Sequence, residues 1–269
     1  MRKKALLAMD LDGTIINNAD EVPEAIRKTI LNLKDMGFYF TVATGRGMSS
    51  VKHYELPLNC PGVFENGGKI CFPNGHILQI FPFSKRERQD IIALLKREKG
   101  RVEYAFFPSL EGQHYIFFIP NKDHTEAIAA GFTASFGHAT EDEGEFFDAF
   151  ENGAARLAIV GNLTARIHGL NHSTNHDSAG VHYHEFNHRG ANKGAGVCLI
   201  AKHIGVDKNR VIIAGNDEND ISMFRQNFGV RIAVGPTCPK SLRCRATHYA
   251  ASMDELPLIL RGLAAELRR

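Results

Sequence analysis

Apolar residues fall in two rhythms along this chain. At Ala5–Met9 they run unbroken into Asp10, as in a short strand buried on both faces of a parallel sheet. From Pro23 to Met36 they recur at Ala25, Ile26, Ile30, Leu31 and Leu33, a helical spacing. Pro23 suits the first turn of that helix and Gly37 the position past its end. Phe38–Ala43 is a second solid run and ends in Thr44-Gly45-Arg46. Strand, helix, strand in this order implies a right-handed crossover between parallel strands, so Thr44 emerges at the same sheet edge as Asp10.

Beyond Pro61 the rhythm changes. Strand-like runs at Lys69–Phe72 and His76–Ile80 flank Pro73-Asn74-Gly75, whose Asn-Gly pair favours a hairpin. Ser84 is placed to cap a helix over Lys85–Lys99. Strands are predicted at Arg101–Phe107, Gln113–Ile119, Arg156–Val160 and Val181–Phe186, with a helix at His124–Phe136. Strands with interspersed helices read as a separate α+β insert. From Ala191 the first rhythm returns: helix Lys193–Ile204, strand Val211–Ala214, a helix from Ile221 to about Gln226, strand Val230–Val234, a helix near Lys240 and a last one from Met253. The expected class is therefore α/β, a Rossmann-like parallel-sheet core of residues 1–82 and 187–269 with an inserted α+β cap of residues 83–186.

Composition narrows the function classes. The 269 residues are 43% hydrophobic and 23% charged with a formal net charge of +2, which fits a soluble globular chain. So small a net charge gives no broad attraction to nucleic acid or membrane, and no apolar run reaches membrane-spanning length. The N-terminal apolar run, interrupted at Asp10, is too short for a signal peptide. Five cysteines without Cys-x-x-Cys spacing speak against a disulfide framework or structural zinc, so a reducing cytoplasm is the expected location.

Candidate chemistry gathers at predicted strand ends. Asp10 and Asp12 stand one residue apart after the first strand, where open α/β sheets bind their ligands. Asp-Gly is also a common turn pair, which accounts for Asp12 and Gly13 but not for a charged residue closing a buried strand. Thr44-Gly45-Arg46 offers a hydroxyl, a flexible glycine and a guanidinium suited to an anion. Lys193 lies in Gly190-Ala-Asn-Lys-Gly194, and the strand Val211–Ala214 runs into Gly215-Asn-Asp-Glu-Asn-Asp220.

Together these four motifs resemble the haloacid dehalogenase superfamily of phosphohydrolases, in the class IIB, Cof-like branch that carries a large α+β cap. Asn66-Gly67-Gly68 resembles an Asn-Gly element of the same branch. The resemblance implies a Mg²⁺-dependent phosphatase acting on a small phosphorylated metabolite, sugar phosphates above all. It implies Asp10 as nucleophile forming an aspartyl-phosphate, Asp12 as general acid/base, and Thr44 and Lys193 as further catalytic groups. Phosphate contacts are expected for Thr44, Gly45, Lys193 and Asn219, and Arg46 either assists the phosphate or stabilises the loop beside it, which the resemblance does not settle; metal contacts are implied for Asp10, Asp12, Asn216, Asp217 and Asp220. Position 216 departs from the usual pattern, having a neutral amide where a ligating carboxylate is expected, and Gly235-Pro236 replaces the usual Asn-Ala. Two alternatives follow: a phosphomannomutase-like phosphotransferase, or a silent binding protein that has lost a metal ligand. In the cap, His172, His176, His182, His184 and His188 form a histidine-rich run that fits no zinc spacing and reads as a solvated strand and loop. In the pairs Phe106-Phe107 and Phe117-Phe118, one ring of each should face the cap's core and the other the opposite sheet face.

Overall fold

Every residue of the first apolar run is buried, and the run is a strand, β1 (Ala5–Met9). The computed structural model describes residues 5–119, 137–164, 166–176 and 182–267. In chain order, helix Glu24–Asp35 leads to β2 (Phe38–Val42), and a short helical turn at Met48–Val51 leads to β3 (Gly62–Phe64), β4 (Lys69–Cys71) and β5 (Ile77–Ile80). Helix Lys85–Arg97 precedes β6 (Val102–Pro108), β7 (His114–Phe118) and β8 (Gly137–Thr140). Helix Glu143–Glu151 precedes β9 (Arg156–Gly161), β10 (Leu170–His176) and β11 (His182–His188). Helix Lys193–Ile204 then opens the last segment, with β12 (Val211–Gly215), β13 (Val230–Val234), β14 (His248–Ala250) and helix Leu256–Leu267. The helix predicted at His124–Phe136 lies outside the described residues.

The chain divides into two compact units, residues 1–79 with 192–269, and residues 80–191. The first is built on an all-parallel sheet in the order β14-β13-β12-β1-β2. Strand β1 is flanked on both sides, which is why it tolerates no polar residue before Asp10. Leu7, Met9, Phe40, Val42, Ile212 and Ile232 on one sheet face pack with Ile26, Ile30 and Leu33 of helix Glu24–Asp35 and Leu256 and Leu260 of the C-terminal helix. Beside the main sheet, β3, β4 and β5 form a small three-stranded sheet, joined through the expected turn by a bond from Phe72 N–H to the His76 carbonyl.

The second unit is a six-stranded mixed sheet in the order β10-β11-β9-β6-β7-β8. Phe107 and Phe117 pack on one face with Phe83, Ile91, Leu94, Phe146, Phe150 and Phe186. Phe106 and Phe118 join Tyr104, Ile116, Val160 and Tyr183 on the other, the division expected from strand alternation. Ser84 caps helix Lys85–Arg97 in a reciprocal capping box with Glu87. The polar strand β10 and the helix Glu143–Glu151 are absent from the sequence prediction. Strand β10 lies at the sheet edge, where no apolar alternation is needed to hold it.

Candidate active site

Three strand ends of the parallel sheet carry the chemistry. Strand β1 pairs in register with β2, Met9 opposite Val42, and with β12, Met9 opposite Ala214. Asp10, Thr44 and the Gly215–Asp220 loop therefore leave the same edge of one sheet, the placement the strand–helix–strand pattern predicts. Backbone bonds fix the arrangement: Asp10 N–H donates to the Ala214 carbonyl, Ala43 N–H to the Met9 carbonyl, and Asn66 N–H to the Thr44 carbonyl.

At the centre is Lys193, the first residue of its helix and 1% exposed. Its Nζ lies 2.7 Å from Asp10 Oδ1 and 2.7 Å from Asp220 Oδ1. Close approach delivers it there. A Cβ on Gly194 would meet the Ser222 carbonyl oxygen at 2.1 Å, and one on Gly67, which has φ +97°, would meet the Asn192 backbone at 2.6 Å. Glycine at both positions lets the helix start lie against the fourth-motif helix and the Asn66-Gly67 turn.

Two buried carboxylates share this one ammonium. Burial foremost, and then the Asp220 charge, push the Asp10 carboxyl up to about 8, with Asp12 adding and Lys193 opposing. Burial would lower the lysine, but Asp10 and Asp220 outweigh it and hold the ammonium charged well above the ordinary lysine range. One ammonium offsets one of the two carboxylates, so a further cation would favour release of the Asp10 proton.

In the fourth motif Asp217 and Asp220, both expected to contact a metal, make hydrogen bonds within the protein. Asp220 Oδ2 accepts the backbone N–H groups of Asn216 and Asp217 while Oδ1 takes Lys193. Both its oxygens thus shape the loop and seat the lysine. Asp217 Oδ1 caps the Glu218 N–H at the start of the following turn. Asn216 is the residue turned toward Asp10. Its Oδ1 accepts the Thr14 hydroxyl at 3.0 Å, and the same hydroxyl lies 3.4 Å from Asp10 Oδ2. The Thr14 hydroxyl thus links a neutral amide oxygen to the Asp10 carboxylate, hard oxygens of the kind that suit a small oxygen-seeking divalent ion.

Thr44 is fully buried, and its Oγ1 accepts the Arg46 N–H at 3.0 Å, which leaves the hydroxyl proton to donate elsewhere. Gly45 lies against Asn66, whose Oδ1 is 3.4 Å from Asn219 Nδ2. Asn219 Oδ1 is buried with no hydrogen-bond partner among the described residues. Arg46, expected on the phosphate or the loop beside it, has its guanidinium engaged by protein groups. Nε donates to Asp12 Oδ2 at 3.0 Å, Nη2 to Asp12 Oδ1 at 2.5 Å and to Asp20 Oδ1 at 3.0 Å, and Nη1 to the Tyr54 hydroxyl. Asp20 and Tyr54 belong to no motif, and only a hydrogen-bonding residue in each loop could have drawn attention to them.

The histidine-rich strands of the other unit carry no comparable constellation. His172 stacks on Phe186 with ring centroids 4.6 Å apart and its Nε2 is 3.3 Å from His184 Nδ1. Burial first, and then the charges of His184 and Arg166, hold it down at about 4. Among the described residues no three histidine, cysteine or acidic side chains gather as a metal site, and no helix is long and apolar enough to cross a membrane.

A carboxylate pair, a buried lysine and a hydroxyl at one sheet edge define a class of hydrolase, and the comparisons agree. The family model of haloacid dehalogenase-like hydrolases matches residues 7–255. The chain belongs to that family and is an enzyme of the hydrolase class. It is 24% identical over 261 residues to the 5-amino-6-(5-phospho-D-ribitylamino)uracil phosphatase YitU of Bacillus subtilis, covering 91% of this chain and 92% of that protein. Its fold matches BT1666 of Bacteroides thetaiotaomicron with a TM-score of 0.76 at 19% identity, over 98% of this chain and 95% of that one. It also matches the subclass IIB sugar phosphatase BT4131, with a TM-score of 0.75 at 16% identity over 97% and 98% of the two chains.

Proposed function

We propose that this chain is a Mg²⁺-dependent phosphatase that hydrolyses a small phosphorylated metabolite, a sugar phosphate by class, through an aspartyl-phosphate on Asp10. The observation that carries the reading is the buried Lys193 ammonium bridging Asp10 and Asp220, with Thr44 at the neighbouring strand end. An Asp10 oxygen attacks phosphorus while the bond to the leaving oxygen breaks, and Asp12 gives that oxygen its proton. Asp12 then takes a proton from the water that attacks the phosphoryl group, which leaves as inorganic phosphate and frees Asp10. Lys193 offsets charge on the nucleophile throughout, and the Thr44 hydroxyl donates to a phosphoryl oxygen.

The Asp10 carboxylate, Asn216 Oδ1 and the Asp12 carbonyl would hold the metal. Bound there, Mg²⁺ would act as a Lewis acid and neutralise phosphate charge. Asp217 and Asp220 support the loop instead. Two of the similar proteins, the phosphatase YitU, whose substrate is a phosphorylated ribityl compound, and the sugar phosphatase BT4131, support a phosphorylated polyol or sugar.

The test is release of inorganic phosphate from a panel of phosphorylated metabolites and from 4-nitrophenyl phosphate, with Mg²⁺ or with EDTA. Removing a covalent nucleophile is expected to cost on the order of 10⁴-fold or more in kcat for Asp10→Asn. EDTA should abolish turnover and Mg²⁺ restore it. Equal rates for wild type and Asp10→Asn would instead support the reading as a binding protein, and transfer of phosphate between sugar positions would support the phosphotransferase.

A further inference from the structure

An acid/base carboxylate has to be held still, and Asp12 is poorly equipped to hold itself. It is 56% exposed and precedes Gly13, which has a left-handed φ of +71°. What fixes it is Arg46, whose fork meets both its oxygens. Arg46 is itself fixed from behind by two residues that arrive from different segments. Asp20 comes from the loop after β1. There Asn17 Oδ1 accepts the N–H groups of Ala19 and Glu21, and Asp20 adopts a left-handed φ of +59°. Tyr54 closes the turn after Met48–Val51. It is buried, and its carbonyl accepts Arg27 Nη2 at 2.9 Å from helix Glu24–Asp35. The Tyr54 hydroxyl takes Arg46 Nη1 and donates to Asp20 Oδ1, so the three groups brace one another.

A non-glycine residue held at positive φ costs free energy, which persists only where the surroundings over-determine it. Here that strain aims Asp20 at the guanidinium. Four of the five N–H vectors of Arg46 are then occupied, and its remaining freedom is to rotate Asp12 with it or not at all.

We propose that Asp20 and Tyr54 are positioning residues for proton transfer: with Arg46 they form a clamp that fixes the Asp12 carboxylate against the reacting phosphate. This rests on the phosphatase reading above. The clamp moves no proton itself. The proton passes from the Asp12 carboxyl to the leaving oxygen as the P–O bond breaks, and returns to Asp12 from water.

The prediction is a dependence on the leaving group. Phenolate is a poor leaving group that needs its proton, whereas 4-nitrophenolate departs largely without one. In the Mg²⁺-loaded enzyme, Tyr54→Phe and Asp20→Asn are expected to lower kcat/KM for phenyl phosphate by about tenfold or more, and for 4-nitrophenyl phosphate by less than about threefold. Added to Asp12→Asn, Tyr54→Phe should cost almost nothing further, because the group it positions is gone. Asp20 is exposed, so its variant keeps the test valid should loss of the Tyr54 hydroxyl disturb folding. A purely structural role would lower both substrates in parallel and add fully to Asp12→Asn; that result, or no change for either substrate, overturns the clamp. If the wild type splits both esters and Asp10→Asn does not, such a result falls on the clamp alone. A wild type that splits neither overturns the phosphatase reading and the clamp together.

Discussion

A carboxyl buried beside a second acid is a cost to stability. Asp10 keeps its proton in the folded protein up to about 8, well above the ordinary carboxylate value of about 3.9. Between those values the unfolded chain releases a proton that the folded chain retains. Stability therefore falls as pH rises through that window and levels off above the folded value. Asn at the same position carries no such linkage. In EDTA, the melting temperature of wild type should drop relative to Asp10→Asn between about pH 4 and about pH 8. A gap that is constant with pH would mean that Asp10 is already ionised in the native state. That Asp10, Lys193 and Thr44 gather at one sheet edge was legible because each closes an apolar run or sits in a spaced motif. The partners of Arg46 were not, because a side-chain hydrogen bond from a loop leaves no periodicity behind. The sequence left Arg46 open between phosphate and the loop beside it, and the structure pairs it with the carboxylates of Asp12 and Asp20.

Most elements that pack apolar faces were readable, helix Glu143–Glu151 with its buried Phe146 and Phe150 being an exception, and those held by an edge or a close approach were not. Both solid strands and the helix between them emerged from their spacing, whereas β10, whose residues are Leu-Asn-His-Ser-Thr-Asn-His, has no apolar face to read. The helix Lys193–Ile204 was visible as an element, yet the feature that aims it was hidden. Gly194 is needed because the Ser222 carbonyl lies where its side chain would be. Gly194→Ala should push the start of the helix away and move Lys193 Nζ off Asp10. Because catalytic geometry is sensitive to shifts of about 1 Å, the expected loss in kcat is on the order of 10²-fold. Turnover assayed beside a circular dichroism melt checks this: full activity in a stably folded variant would mean that the helix start can yield without disturbing the lysine.

At the scale of the whole chain, the two units have separate apolar cores, one around Leu7, Phe40 and Ile212 and the other around Phe107, Phe146 and Phe150. Phe150 is fully buried and packs edge-on against Phe107 with ring centroids 5.1 Å apart. Phe150→Ala should cost about 3–5 kcal/mol. Hydrogen exchange followed by mass spectrometry should show lost protection in β6, β7 and β9 with protection kept in β1, β2 and β12. Uniform loss across the chain would mean that the units unfold as one. The α/β class and the insertion were evident in the sequence because the change from one apolar rhythm to another, and back, is written over long stretches.

The order of the sheet also has a consequence for synthesis. Leu6 of β1 pairs with Val211 of β12, and all of residues 80–191 are translated between them. At about 5–20 residues per second, roughly 10–40 s pass on the ribosome before that partner exists. During this interval the strand that ends in Asp10 has an open, wholly apolar edge, the kind that pairs with other chains. The contiguous insert can complete itself in the meantime, while the segment carrying Asp10 waits for Lys193 and β12. Slow elongation or crowding by other nascent chains should therefore endanger this enzyme before it has ever met a substrate.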